Sequence, residues 1–431
     1  MPSERKCKAE SGNMEEKQSI RRWMIFIIAS LLFLLSQFYR ASIAVITPQL
    51  ITDTGLNTRE LSLISAAFFY AFALAQIPIG IYLDRFGARR TMTFLSIVAA
   101  LGALVFAWAD SFQGLMAGRL LLGIGMACNL MGTLKLLTLW FSPVRFATLA
   151  ALVVSIGTAG NLIATTPLVL FVQAFGWRIT FTMFSVANLI LVLIFYAVVT
   201  DGPKAFILSN DEDSRPSLRD TLSGIGDLFH TTDYWIISLG TFCRYGIFAA
   251  FQALWAGPFL MNVMGLPAIT TGNMIFLMNI GLIVGGPICG ILSDRILETR
   301  KGVVIGGLAG LSGILLIMAF LPASVSKAVL YALFFLCGIF SSSGMVMYSH
   351  IKELVPLNKA GSAMTGINFF TMAGAAVFLQ GLGSIMQHFF PGDTLGPAAF
   401  QTAFIISSVC LAATALIYVQ SRESLRYRLS D

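Results

Sequence analysis

The chain has 431 residues, 57% of them hydrophobic and only 11% charged, and its mean hydropathy is +0.81. A soluble domain is about 25% charged, so this composition excludes a water-soluble enzyme or binding module. The formal net charge of +7 would suit a nucleic-acid partner, but the cations lie in the tails and in the connections on one side of the apolar spans, where they mark membrane orientation, so no nucleic acid is expected.

Taken in order, twelve apolar stretches approach the roughly 20 residues needed to cross a bilayer. They fall at 22–50, 61–83, 91–108, 114–140, 146–174 and 179–199, then at 234–262, 271–293, 302–321, 328–349, 362–388 and 398–420. The first is too long, and too free of a cleavage site, to be a removed signal peptide. The polar segment 201–233, with Pro203, Pro216 and Asp211-Glu212-Asp213, separates six spans from six; Ser217 to His230 is expected to form a short surface helix. The expected organisation is therefore a tail 1–21, a six-helix bundle 22–200, a linker 201–233, a second bundle 234–421 and a tail 422–431, with 1–20 and 423–431 lacking fixed structure. The fold class is an all-α membrane protein of twelve transmembrane helices in two pseudo-symmetric six-helix bundles.

The two halves are copies. Gly80-Ile-Tyr-Leu-Asp84-Arg85-Phe-Gly87-Ala-Arg89-Arg90 recurs 210 residues on as Gly290-Ile-Leu-Ser-Asp294-Arg295-Ile-Leu-Glu298-Thr-Arg300-Lys301. The same offset carries Pro48-Gln-Leu50 onto Pro258-Phe-Leu260, and one of 214 carries Ala159-Gly160 onto Ala373-Gly374. Duplicated membrane halves are the architecture of secondary transporters, whose substrate site lies between the repeats.

Orientation follows from the cations. Arg5, Lys6, Lys8, Lys17, Arg21 and Arg22, the even-to-odd connections (Arg85 to Arg90, Arg145, Lys204 to Arg219, Arg295 to Lys301, Lys352, Lys359) and the C-terminal arginines fall on one side. Arg59, Arg178 and Lys327 alone fall on the other. Positive residues are retained in the cytoplasm, which places both termini and the linker there and the protein in the plasma (inner) membrane. The six cysteines include no Cys-x-x-Cys pair, so no metal, redox or other cofactor is expected. The lack of a Gly-x-x-x-x-Gly-Lys-Ser/Thr loop argues against an ATP-driven pump. No intramembrane His–carboxylate or Ser–His set suggests an enzyme.

Gly80 to Arg90 resembles the loop-2/3 signature of the major facilitator superfamily, and Gly118-Arg119-Leu-Leu-Leu-Gly123-Ile-Gly125-Met-Ala127 resembles its fourth-helix motif. The resemblance covers about residues 20–420 and implies a central cavity worked by alternating access. It also implies that Asp84, Arg85, Arg89, Arg90, Asp294 and Arg295 make breakable contacts at the cytoplasmic mouth, with Arg119 supporting the gate. The glycine-proline motif of the family's drug antiporters is missing from the fifth span, where Gly157-Thr-Ala-Gly160-Asn161 stands.

Four cations lie inside spans: Arg40, Arg119, Lys135 and Arg244; no Asp or Glu lies well inside one. Each mid-bilayer cation costs about 2.5–3.5 kcal/mol on insertion scales, and an anionic ligand is one way to offset that. Arg40 shares a polar stripe with Ser36, Gln37 and Thr47, and Lys135 is near enough to a helix end to snorkel. Arg244 lies about ten residues into its span, roughly 15 Å deep. Organophosphate:phosphate antiporters of the superfamily clamp a phosphoryl group with one Arg on each of these two helices, and the pair resembles that arrangement. The match is imperfect, because the mirror of Arg40 is Ala250, about six residues or roughly 9 Å from Arg244. A broader small organic anion is the expected substrate, with Gln37, Tyr39, Gln76, Trp255 and Asn368 as further contacts. Without an intramembrane carboxylate, exchange or co-transport of a proton carried by the substrate is expected. Export of an amphiphilic or drug-like compound is the alternative, and a non-transporting sensor a second one, told apart by flux. A monomer suffices for each reading.

Reporter fusions at Asn210 and Asp431 should both report cytoplasm; a periplasmic signal from either would overturn the twelve-span arrangement.

Overall fold

The computed structural model describes residues 2–141, 143–202, 229–322, 324–355 and 360–424, and among these there is no strand. In the first half, α1 runs Pro2–Ala41 and continues as Ile43–Thr54. α2 and α3 share the helical run Thr58–Ala107 and are divided at Gly87, whose φ of 80° interrupts the ladder. α4 comprises Phe112–Met126 and Asn129–Trp140. α5 is Pro143–Ile163 and resumes at Thr166; Gly176, with φ 75°, divides it from α6, which ends at Val198. In the second half, α7 is Thr232–Val263, α8 Ala268–Ile296 and α9 Arg300–Ala319. α10 comprises Lys327–Ser341 and Gly344–Leu354, α11 is Ala360–Phe389 and α12 Pro397–Tyr418.

These spans lie within a few residues of those read from the sequence. The N-terminal tail differs, because α1 extends it as helix back to Pro2; its lysines and glutamates, with Ala9 and Gln18, are good helix formers. Most of the 201–233 linker, with its expected surface helix, and the end of the C-terminal tail lie outside the described residues. Large apolar side chains such as Leu74, Phe94, Leu101, Leu193, Phe320 and Leu416 are exposed around the outside of the bundle, a surface suited to lipid rather than water.

Several spans are broken, and each break has a local cause. Pro48 withholds the N–H that would meet Ala44 O and crowds that carbonyl, loosening α1 below it. In α10 the hydroxyls of Ser342 and Ser343 donate to Ile339 O at 2.6 Å and Phe340 O at 2.9 Å, competing with the backbone ladder. α4 breaks at the equivalent place, Ala127 and Cys128. α7 relaxes into π-helical turns at Phe251–Trp255 and Phe259–Val263, on either side of Pro258.

The halves meet as α1 against α7, α2 along α11 and α5 along α8. Four hydrogen bonds join them among the described residues: Thr58 to Thr394 at 2.5 Å, Thr166 to Asn273 at 2.6 Å, Tyr70 to Gln380 at 2.9 Å and Arg40 to Tyr245 at 2.9 Å. Thr58, Thr394 and Asn273 belong to the end of the bundle away from the chain termini. At the other end, the bonds described below brace each half within itself.

Candidate functional site

Gln37, Arg40 and Ala44 follow one another at helical spacing on the face of α1 that meets the second half. Arg40 Nη1 donates to Tyr245 OH at 2.9 Å. The guanidinium also stands over the rings of Phe72 at 4.9 Å and Phe69 at 6.0 Å, an arrangement worth about 0.5–2 kcal/mol depending on desolvation. Arg40 Nε and Gln37 Oε1 are buried without a partner among the described residues.

Arg244 is 5% exposed. Its Nη1 donates to Ser341 O at 2.5 Å, with Ser341 Oγ at 3.3 Å. Ser341 is the last residue before the break in α10, so its carbonyl has lost its helical donor. Gly344, just beyond the break, admits the guanidinium because a Cβ there would collide with it. In the first half the corresponding carbonyl, Met126 O before the α4 break, accepts from Ser36 Oγ at 3.2 Å. Arg244 thus stands in the place of Ser36, not of Arg40. This is the physical reason the two arginines fall at different levels.

Tyr348 OH donates to Asn368 Oδ1 at 3.1 Å and lies 3.3 Å from Thr371 Oγ1. It lies near both arginines. The structure therefore places Arg244 of α7, Tyr348 of α10 and Asn368 of α11 in the neighbourhood of Arg40, whose internal partner is Tyr245, with Gln37 one turn away on α1. Tyr245 was not read from the sequence; a tyrosine beside an intramembrane arginine was the available signal.

Three expected contacts stand elsewhere. The Tyr39 ring packs inside the first half against Phe38 at 5.3 Å and Phe181 at 6.3 Å. Gln76 Nε2 donates to Ala127 O at 3.0 Å, serving the α4 break. Trp255 lines a small apolar pocket with Ile247, Phe251, Leu315 and Phe400. The π-helical turn that ends at Trp255, with its i→i+5 bonds, rotates that residue off the Arg244 face.

Arg119 is 1% exposed and donates from Nη1 to Tyr39 O at 2.8 Å, with its guanidinium 4.8 Å from the Phe68 ring. Lys135 Nζ donates to Leu83 O at 2.7 Å. At the end of the bundle near the termini, Gly87 presses against the Asp201 carboxylate. Asp201 accepts from the Arg89 backbone N–H at 2.8 Å, and the Arg89 side chain donates to Tyr196 O at 2.8 and 3.0 Å. The second half repeats the device with Glu423, which accepts from the backbone of Arg300 at 2.9 Å and Lys301 at 3.3 Å. In both halves a carboxylate meets the N-terminus of the third helix, where the helix dipole favours it. Arg300 pairs with Asp294 and, at 3.0 Å, with Glu353. Arg85 and Arg295 are exposed. Arg90 lies on the outer face of the first half, beside a groove of about 410 Å³ lined by Tyr82 and Phe94 among others. The Asp84 side chain lies outside the described residues. Asp201, Glu353 and Glu423 were not singled out from the sequence, where each reads as an ordinary loop or helix-end acid.

The sequence model described as Major Facilitator Superfamily matches residues 28–379 and 237–427. A probable sulfoacetate transporter of Cupriavidus necator is 25% identical over 421 residues, covering 90% of this chain and 95% of the relative. A hexuronate transporter of Bacillus subtilis is 25% identical over 343 residues, covering 75% and 78%. Among solved structures, the fold is similar to a bacterial homolog of the human lysosomal transporter Spinster in an inward-facing, unoccupied conformation. The TM-score is 0.75 at 17% identity, over 95% of this chain and 98% of that one. It is likewise similar to a D-xylose–proton symporter, with a TM-score of 0.76 at 14% identity over 94% and 98%.

Arg119→Gln removes the charge from the Tyr39 carbonyl. Hydrogen bonds to charged groups are worth about 1.5–3 kcal/mol, so the melting temperature should fall and transport of different substrates should fall in the same proportion. A changed preference between two substrates would show instead that Arg119 touches the substrate.

Proposed function

This chain belongs to the Major Facilitator Superfamily and is not an enzyme, and on that premise we propose that it is a secondary transporter of a small organic anion. The observation that carries the reading is that Arg40, on the α1 face that meets α7, and Arg244 of α7 are both buried or half-buried and bonded only to neutral oxygens. A buried guanidinium prefers a carboxylate or phosphate in bidentate contact, and the described residues supply neither to these two arginines. The Nε of each arginine is buried and unpartnered among the described residues, which leaves donors for a ligand. That relatives include transporters of sulfoacetate and hexuronate, both anions, agrees with this.

The proposed mechanism is rocker-switch alternating access. Two of the inter-half bonds, Thr58–Thr394 and Thr166–Asn273, lie toward the end away from the termini, which fits a form closed there and open at the other end. With both termini in the cytoplasm of a plasma (inner) membrane, this is an inward-facing form. Opening the far end requires the Thr58–Thr394, Thr166–Asn273 and Tyr70–Gln380 bonds to part. The helix-end clusters around Asp201 and Glu423 then serve as the rigid corners on which each half turns, with Asp84, Arg85, Asp294 and Arg295 as the residues of the opposite gate. The transporter acts as a monomer within the lipid bilayer. Coupling is by exchange, or by a proton that the substrate carries, because the sequence puts no Asp or Glu well inside a span to relay one.

Arg40→Gln and Arg244→Gln should each lower anion counterflow into proteoliposomes severely, since truncating one partner of a buried charge pair costs about 2–5 kcal/mol. Arg→Lys at either site should restore only part of the rate, because the planar fork is lost. Wild-type counterflow in both Gln variants, or preference for a cation, would refute the anion reading.

A further inference from the structure

The Arg40–Tyr245 bond differs from the other three that cross between the halves. Those three join neutral side chains. This one satisfies a cation, and both its atoms belong to the chain. Residue 40 is in the first half and residue 245 in the second, so the bond exists only when the halves are together at this level. Arg244, the neighbour of Tyr245 in sequence, has its Nη1 turned to Ser341 O and offers Arg40 no competition for the hydroxyl.

A carrier that performs net transport must reorient empty. Closing the halves on an unneutralised guanidinium strips it of water, and the cost is large unless an acceptor replaces that water. During exchange the anion travels on both legs and fills that need. During net transport one leg has no anion, and the acceptor must come from the protein. Tyr245 OH is placed to do this: it is uncharged, so it releases Arg40 to a carboxylate, yet it accepts a hydrogen bond from Arg40 when none is bound.

We infer that Tyr245 is the internal stand-in for the substrate anion, the residue that lets the empty carrier close and so permits net flux as well as exchange. It is a positioning residue acting through Arg40. The inference rests on the organic-anion reading above. It predicts an asymmetry that neither a structural role nor direct substrate contact produces. Losing the hydroxyl slows the empty leg, leaves the loaded leg alone, and does not weaken the anion's hold on Arg40.

The test compares wild type with Tyr245→Phe in proteoliposomes, using labelled D-glucuronate, sulfoacetate and glycerol 3-phosphate as a sugar acid, a sulfonate and a phosphate ester. Each anion that wild type moves is measured in net efflux into anion-free buffer and in exchange against the same anion outside. Net efflux through Tyr245→Phe should fall roughly tenfold or more, the effect of one hydrogen bond to a charged group, while exchange stays within about twofold and its KM does not rise. Wild-type exchange by the variant shows at once that it is folded. An equal loss in both modes, no loss in either, a raised exchange KM, or a wild type that exchanges without any net efflux would each overturn the role given to Tyr245. A wild type that moves none of the three anions would overturn the organic-anion reading itself, and this inference with it.

Discussion

Among the described residues, three guanidinium groups lie inside the membrane-spanning bundle, and none of the three rests on a carboxylate there. Arg40 bonds a tyrosine hydroxyl, Arg119 a backbone carbonyl of α1, and Arg244 a carbonyl and hydroxyl of α10. In a medium without water each of these groups has to be met or its burial is prohibitive. Much of the architecture can be traced to that requirement. The breaks in α1, α4 and α10 release carbonyls that an unbroken helix would keep for itself, and side chains from neighbouring helices take them up. Irregular backbone at membrane depth is tolerable only where it is buried in protein or lines a cavity, and here polar side chains satisfy it from within.

The two halves solve the same problem with different residues. The break in α4 takes a hydroxyl from Ser36 and an amide from Gln76, while the break in α10 takes the full charge of Arg244. The same contrast recurs at the end near the termini, where Asp201 caps the third helix and Glu423 caps the ninth. The duplicated plan is thus kept at the level of which backbone groups need a partner, and varied in which side chain provides it. That asymmetry puts a second cation between the halves without a mirror-image pair, and gives the site a direction along the α1–α7 interface.

The spans and the duplicated plan were legible because both depend on patterns that lie along the chain. A run of apolar residues and a repeated Gly-x-x-x-Asp-Arg need no knowledge of tertiary contacts. Arg40 and Arg244 were visible for the same reason, as charges where charge is costly. The partners were not. Tyr245 becomes informative only once α1 is known to face α7 at that level. Trp255 was placed on the Arg244 stripe by counting helical turns, and the π-helical turn Phe251–Trp255 undoes that count. Tyr39 lies one residue from Arg40 and points into the opposite packing, so that its backbone carbonyl and not its ring does polar work. Asp201 and Glu423 come into play only through the fold, which brings the ends of α6 and α12 against helices more than a hundred residues away.

The central claim is that an anion supplies what the chain withholds from Arg40 and Arg244. The most direct measurement is thermal unfolding of the purified protein with matched pairs of compounds, each anion set against an uncharged analogue of similar shape, such as D-glucuronate against D-glucose. A ligand present at 100 times its Kd stabilises the state it binds by about 2.7 kcal/mol, which such a melt resolves. The account predicts that at least one anion raises the melting temperature in proportion to the logarithm of its concentration. It also predicts that the uncharged partner does not, and that the shift disappears in Arg40→Gln. Equal stabilisation by the uncharged member of each pair, or stabilisation by a cation, would contradict it.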